Sequence, residues 1–218
     1  MITRVIPGIL EKDWVEIEKK IEEVRPFAKV IHIDLIDGKF SPNTTFMDPE
    51  PFRKYTKDIE FELHMMVEEP INYLKSFSDA GFRRFIGQIE KMSDQTEFVA
   101  SAQRLGEVGL AVDEPTSVDQ IKVPFEDLDL IFFMTVKAGE SGQKFNRENI
   151  KKIENIKNSV FIPIEVDGGI ENDTILISKN AGASYFVATS AIFSGGNPQE
   201  NYSKLMQKIG QGGDNLEV

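Results

Sequence analysis

The chain has 218 residues, 40% of them hydrophobic, and carries a formal charge of −11 with a pI near 4.8. That acidity argues against a nucleic-acid partner or an anionic membrane, because phosphate backbones and acidic lipids recruit clusters of Lys and Arg. With no cysteine there is no disulfide framework, thiol nucleophile or thiolate metal site, so a bound metal would have to sit on carboxylates and on the chain's two histidines, His32 and His64.

A phosphorylated small molecule stays open, since a few backbone N–H groups at a helix start suffice to hold one. The N-terminus shows no extended apolar segment or small-residue cleavage site, and nothing downstream approaches the roughly 20 apolar residues of a membrane span. A soluble cytoplasmic protein is expected.

In chain order, residues 5–10 are an apolar run broken by Pro7-Gly8, followed by Trp14, Ile17, Ile21 and Val24 at helical spacing. Residues 31–37, preceded by Val30, read as a second strand, and Asp48-Pro-Glu-Pro as the start of a short helix. A third strand at 61–67 carries His64, and a helix at 70–80 has Gly81 placed as its C-terminal cap. Strand four is expected at 85–90, helix four at 97–105, strand five at 109–112 and a short helix from Ser117. The run 130–136 is apolar enough for a strand buried on both faces, with a helix to follow at 148–156. Strand seven at 162–166 leads into Asp167-Gly168-Gly169, a helix spans 173–179, and strand eight at 185–188 precedes a last helix at 198–209.

Eight strands in strict alternation with helices predict an α/β fold, a single (β/α)8 TIM barrel over residues 1–210 with a flexible tail at 211–218. The rival is an open doubly wound sheet, whose Gly-rich fingerprint is missing after the first strand. In a barrel the chemistry sits at the C-terminal strand ends.

His32 and Asp34 share one face of their strand because side chains alternate with a period of two. In isolation they are equally well explained as hydrogen-bonded core polar groups. Joined at one mouth by His64 and Asp167, they form a set suited to one divalent ion, Zn²⁺, Fe²⁺, Mn²⁺ or Co²⁺, with a position left for substrate.

Several segments resemble the ribulose-phosphate 3-epimerase family. They are Pro-Gly-Ile-Leu at 7–10, His-Ile-Asp-Leu-Ile-Asp-Gly-Lys-Phe-Ser-Pro-Asn at 32–43 and Leu-His-Met-Met-Val at 63–67, then Met-Thr-Val-Lys-Ala-Gly-Glu-Ser-Gly-Gln-Lys-Phe at 134–145, Glu-Val-Asp-Gly-Gly-Ile at 165–170 and Ala-Thr-Ser-Ala-Ile-Phe at 188–193. They span nearly the whole chain in the expected order. The resemblance implies a metal held by His32, Asp34, His64 and Asp167, with Asp34 and Asp167 doubling as acid and base. Inverting a carbon next to a carbonyl needs proton carriers on both faces, and the enediolate between them needs a fixed positive charge. Met66 and Met134 match family methionines near that intermediate, and ordinary core filling explains them equally well. The implied partners are a sugar or sugar phosphate and further copies of the chain in a homo-oligomer.

The phosphate end departs from the family. Where a Gly-Phe-Gly-Gly loop is expected, Gly139, Glu140, Ser141 and Gly142 stand instead. At about 8 Å and an effective dielectric of ~20, Glu140 would repel each unit of phosphate charge by roughly 2 kcal/mol. Thr189-Ser190 replaces a Gly-Ser pair, Gly8 replaces a Ser, Ile36 a Met and Gln88 a His, and Asp113-Glu-Pro-Thr116 adds two acids near the mouth. The substrate-binding set expected from the resemblance is Gly8, Met66, Met134, residues 139–142, Gly168, Gly169, Thr189 and Ser190. Three outcomes stay open: an ordinary pentose-phosphate epimerase, an epimerase or isomerase of the same mechanism acting on another sugar, phosphorylated or not, or a non-catalytic relative that retains a metal and binds a small molecule or a partner protein.

Overall fold

A computed structural model describes residues 2–139 and 143–210. Glu140, Ser141, Gly142 and the expected tail at 211–218 lie outside the described residues. Eight strands, β1 (Arg4–Ile9), β2 (Val30–Ile36), β3 (Glu60–Met66), β4 (Arg84–Gln88), β5 (Glu107–Val112), β6 (Leu130–Met134), β7 (Ile164–Asp167) and β8 (Tyr185–Ala188), form a closed parallel barrel in sequential order. β8 pairs with β1 through Arg4↔Tyr185 to Pro7↔Ala188 and closes the ring. The helices are α1 (Trp14–Val24), α2 (Ile71–Ala80), α3 (Gln95–Gln103), α4 (Ile150–Ile156), α5 (Thr174–Ala181), α6 (Ser190–Phe193) and α7 (Pro198–Gly210).

Three expectations need correction. The first strand is not broken at Pro7-Gly8. Arg4 N donates to Ser184 O, so the even-numbered amides of β1 face β8 and position 7 faces β2. Pairing to β2 begins only at Gly8↔His32, and the N–H that proline lacks is not missed. Secondly, the alternation with helices is not strict. The β2–β3 crossover holds only a 3₁₀ turn at Glu50–Lys54, and the β5–β6 crossover holds 3₁₀ turns at Val118–Gln120 and Phe125–Asp127. In the second crossover Pro124 cuts short any helix begun at Val118, whereas in the first Pro49 and Pro51 fall at the cap and first turn, where proline is tolerated, and the turn simply ends at Tyr55. Thirdly, strand four stops at Gln88, and Glu90 falls in a 3₁₀ turn, Ile89–Lys91.

Apolar side chains fill two zones. The outer zone lies between strands and helices, where Ile33, Leu63, Phe85 and Val166 meet Ile17, Ile21, Leu74, Phe77 and Phe98. α1 presents Ile17, Ile21 and Val24 to it and is started by Asp13, whose carboxylate accepts from Glu16 N at 3.1 Å. The inner zone holds Ile36, Met66, Ile86, Leu130, Phe132, Met134 and Val187, and it forms the apolar surround of the barrel mouth.

A knot of rings anchors the outer zone at β3 and β4. Phe82 lies 5.3 Å from Phe52, 5.3 Å from Phe61 and 5.1 Å from Phe77, edge-on to Phe52 and Phe77, and is fully buried. Truncating Phe82→Ala is expected to cost about 3–5 kcal/mol, read as a fall in the denaturant midpoint without change in slope. An effect below about 1 kcal/mol would mean that the surrounding rings collapse into the space.

Candidate active site

Three strands carry polar residues in pairs two positions apart: His32 and Asp34 on β2, Glu62 and His64 on β3, Glu165 and Asp167 on β7. A period of two places both members of each pair on one face, here toward the barrel interior, so the polar groups stack in two storeys. The register sets His32 beside Glu62 and Asp34 beside His64 across the β2–β3 ladder. Ligand atoms of His32, Asp34, His64 and Asp167 all lie within 4.8 Å of one another.

Each imidazole is fixed from two sides. His32 has Nδ1 2.7 Å from Glu62 Oε1 and Nε2 3.3 Å from Asp34 Oδ1. His64 has Nδ1 3.0 Å from the same Asp34 oxygen, while its Nε2–H donates to the Gln88 amide oxygen at 3.1 Å. The Gln88 nitrogen in turn donates to Glu90 Oε2 at 2.7 Å and Ala111 O at 3.2 Å. Phe132 stacks on His32 at 5.6 Å and leans on His64 at 4.4 Å between ring centres. The nitrogens that face Asp34 are thus His32 Nε2 and His64 Nδ1.

The charges beneath compensate one another. Glu62 also accepts from Arg84 at 2.7 Å, and Arg84 reaches Glu107 at 2.6 Å and Glu60 at 3.2 Å. Burial would raise the Glu62 carboxyl, but His32 and Arg84 hold it down at about 2. Burial and the Glu62 charge push Glu165 well above the usual carboxylate range. For His32 burial works against the charged form, and Asp34 and Glu62 outweigh it, holding the imidazole well above its ordinary value. Burial lowers His64.

The two aspartates are driven apart. Burial alone would raise Asp34, yet His32 and His64 hold it well below the carboxylate range. Burial and the Asp34 charge push Asp167 up to about 7. Neighbouring acids with opposite protonation are the arrangement that acid and base chemistry at neutral pH requires.

Above them opens a cleft whose empty space, counted out into open solvent, is about 820 Å³. Asp34, Met66, Met134 and Asp167 line it at the inner end, and Gly139, Gly168, Gly169, Thr189 and Ser190 line it further along. Gly168 has φ 111°, and a Cβ there would lie 2.5 Å from Val136, so only glycine lets β7 turn away at this point. His32 and His64 are fully buried. Gly8 is not on the cleft wall: a Cβ there would meet Thr189 Oγ1 at 2.5 Å, so Thr189 occupies the space a larger residue at position 8 would need. Lining residues missed by sequence reasoning include Leu10, Val136, Gln143 and Glu171. Also missed were Glu62, Arg84 and Glu165, although the alternation that selected His32 and Asp34 flags Glu62 before His64 and Glu165 before Asp167.

A closed parallel barrel that gathers such groups at its C-terminal strand ends, beside a cleft, is built as a barrel enzyme. Similar proteins narrow the class. The ribulose-phosphate 3-epimerase family profile matches residues 4–193. Ribulose-phosphate 3-epimerase of Schizosaccharomyces pombe is 32% identical, with 94% of this chain and 93% of that one covered. Ribulose-phosphate 3-epimerase of Bacillus subtilis is also 32% identical, with 94% and 97% covered. The chain belongs to the ribulose-phosphate 3-epimerase family. Its fold extends to more distant barrels: 3-keto-L-gulonate-6-phosphate decarboxylase of Vibrio cholerae superimposes with a TM-score of 0.74 at 13% identity, covering 96% of this chain and 98% of that one. Among the described residues no helix is long and apolar enough to cross a membrane.

Replacing Arg84 by Met is expected to destabilise the protein by about 3–5 kcal/mol, because Glu62 is left charged and buried without its cation. Equilibrium denaturation measures this. A change within about 0.5 kcal/mol would mean that Glu62 is neutral in the native barrel.

Proposed function

We propose that the chain interconverts ribulose 5-phosphate and xylulose 5-phosphate by inverting carbon 3. The observation that carries this reading is the pair Asp34 and Asp167, presented to one cleft by β2 and β7 and pushed to opposite protonation states. Asp34, held ionised, takes the carbon 3 proton onto a carboxylate oxygen. The C–H electrons move into the adjacent carbonyl and leave an enediolate. Asp167, able to hold a proton near neutrality, returns one to the opposite face, and the roles exchange in the reverse direction. Met66 and Met134 line the cleft there without competing for protons.

The residues present fit a divalent ion. His32 Nδ1 and His64 Nε2 are engaged by Glu62 and Gln88, so the nitrogens left for a ligand role are those facing Asp34, as in sites where a second partner fixes each metal-binding imidazole. His32, Asp34, His64 and Asp167 would hold it, and the ion would supply a fixed positive charge for the oxyanion that develops beside carbon 3. The phosphate would lie toward Gly168, Gly169, Thr189 and Ser190.

One observation favours a second reading. The charged side chains lining the cleft among the described residues are Asp34, Asp167 and Glu171, all acidic. No Lys or Arg in that set meets a phosphate, which fits the same chemistry on an uncharged sugar. The specificity constant for ribulose 5-phosphate against the unphosphorylated ketose decides between the two.

Incubation with ribulose 5-phosphate in deuterated water is expected to place deuterium at carbon 3, seen by proton NMR. Absence of label from both sugar and sugar phosphate would end the proposal. Asp34→Asn and Asp167→Asn are each expected to slow epimerisation by on the order of 10²–10⁴-fold, and wild-type rates in both would remove them from the mechanism.

Metal affinity is expected to depend on pH. In the metal-free protein Asp167 keeps its proton below about 7, and that proton competes with a cation for the carboxyl. Apparent affinity should therefore rise as pH increases through about 7, where Asp167 ionises, and go on rising while His32, held above its ordinary value, gives up its own proton, which calorimetric titration of metal-free protein with Zn²⁺ or Mn²⁺ checks. A flat profile would exclude Asp167 as a ligand that loses a proton on binding.

A further inference from the structure

The main chain of each aspartate is gripped by a buried threonine from outside its own strand. Thr45, on the segment returning from β2, donates its hydroxyl to Asp34 O at 2.8 Å and accepts from Ile36 N at 2.9 Å, and its own N–H donates to Ile36 O at 3.0 Å. Thr135, just beyond β6, donates its hydroxyl to Asp167 O at 2.9 Å and also contacts Gly168 O, while its N–H donates to Asp167 O at 2.7 Å. Thr45 is 7% exposed and Thr135 fully buried.

The need for these hydroxyls follows from the ladder. β2 pairs with β1 only through Gly8↔His32 and Ile9↔Ile33. Beyond Ile33 the β1-facing groups of β2, Asp34 C=O and Ile36 N–H, have no strand partner, and Thr45 supplies both an acceptor and a donor. At β7 the pairing to β6 ends at Met134↔Asp167, and Thr135 extends it by one residue. In both places strand pairing runs out where an aspartate must stand still.

We propose that Thr45 and Thr135 are paired positioning residues that set the placement of the two proton carriers, Asp34 and Asp167, on opposite faces of the substrate. This rests on the epimerase reading above. Neither threonine touches the reacting carbon. Each acts through the main chain of its aspartate, so its effect belongs to proton transfer and not to ligand affinity.

The test uses the full-length, metal-loaded protein. Thr45→Val and Thr135→Val keep the shape and remove the hydroxyl, and Thr45→Ser and Thr135→Ser restore it. Each Val variant is expected to lose roughly ten- to hundredfold in kcat, the scale of a small misplacement of a reacting group, with KM and bound metal per chain unchanged. Each Ser variant should recover most of that loss. The signature of positioning is directional: exchange of the carbon 3 proton should be slowed mainly from one epimer in Thr45→Val and mainly from the other in Thr135→Val.

Wild-type kcat in the Val variants would overturn the inference, and so would Ser variants as impaired as Val. Equal slowing from both epimers, or a loss that tracks lost metal, would reduce the threonines to structural support and overturn it as well. If the unmodified protein labels neither ribulose 5-phosphate nor its unphosphorylated counterpart, the epimerase reading itself fails, whereas an active wild type with unimpaired variants removes only this inference.

Discussion

The 2.7 Å contact between His32 Nδ1 and Glu62 Oε1, fully buried, ties the chemistry at the barrel mouth to the charge stored beneath it. An imidazole between two carboxylates carries a proton far more readily than one in water, and that proton holds Asp34 ionised in turn. Glu62 in the interior would be prohibitively costly alone and is tolerated because Arg84 meets it from β4. Arg84 reaches outward to Glu60 and Glu107, which are partly exposed. A continuous path of opposite charges therefore runs from the barrel floor to the aspartate that faces the cleft.

The inner zone makes that path strong. Phe132, Met66, Met134 and Val187 enclose the upper storey, and their low polarity relative to water leaves the charges less screened than they would be in solvent. That surround raises both aspartates, but at Asp34 the two imidazoles outweigh it, whereas at Asp167 the Asp34 charge adds to it and the pull of His32 does not reverse it. Two residues of one type are thus shifted in opposite directions by their neighbours alone.

The far end of the cleft follows a different logic. Gly8 and Thr189 exchange space, with the threonine side chain standing where a Cβ on β1 would have to go. Substitutions that look independent along the sequence are one steric unit across the β1–β8 seam. Glu171 adds negative charge to the same wall, so the ligand end of the cleft owes its shape to backbone at Gly168 and Gly169 and its potential to acids.

The strands, most helices and the metal-type donor set are legible in the sequence because their signals are local: period-two polar pairs on apolar runs, helical spacing from Trp14 to Val24, and Gly81 as a cap at φ 110°. The four residues His32, Asp34, His64 and Asp167 are legible for the same reason, each lying on a recognisable strand. Other features depend on which strand lies beside which. The closure of β8 on β1, the Arg84 partner that makes Glu62 bearable, the Gly8–Thr189 contact and the threonine grips on the two aspartates all join segments remote in sequence. The 3₁₀ crossovers at Glu50–Lys54 and Val118–Gln120 show the same limit from the other side: the sequence offers a helix start at each, but only the packed barrel decides that so short a link suffices. Sequence determined the chemical types and their faces, and tertiary structure decided their distances, because pKa, hydrogen bonding and steric exclusion all act through space between atoms the chain does not place side by side.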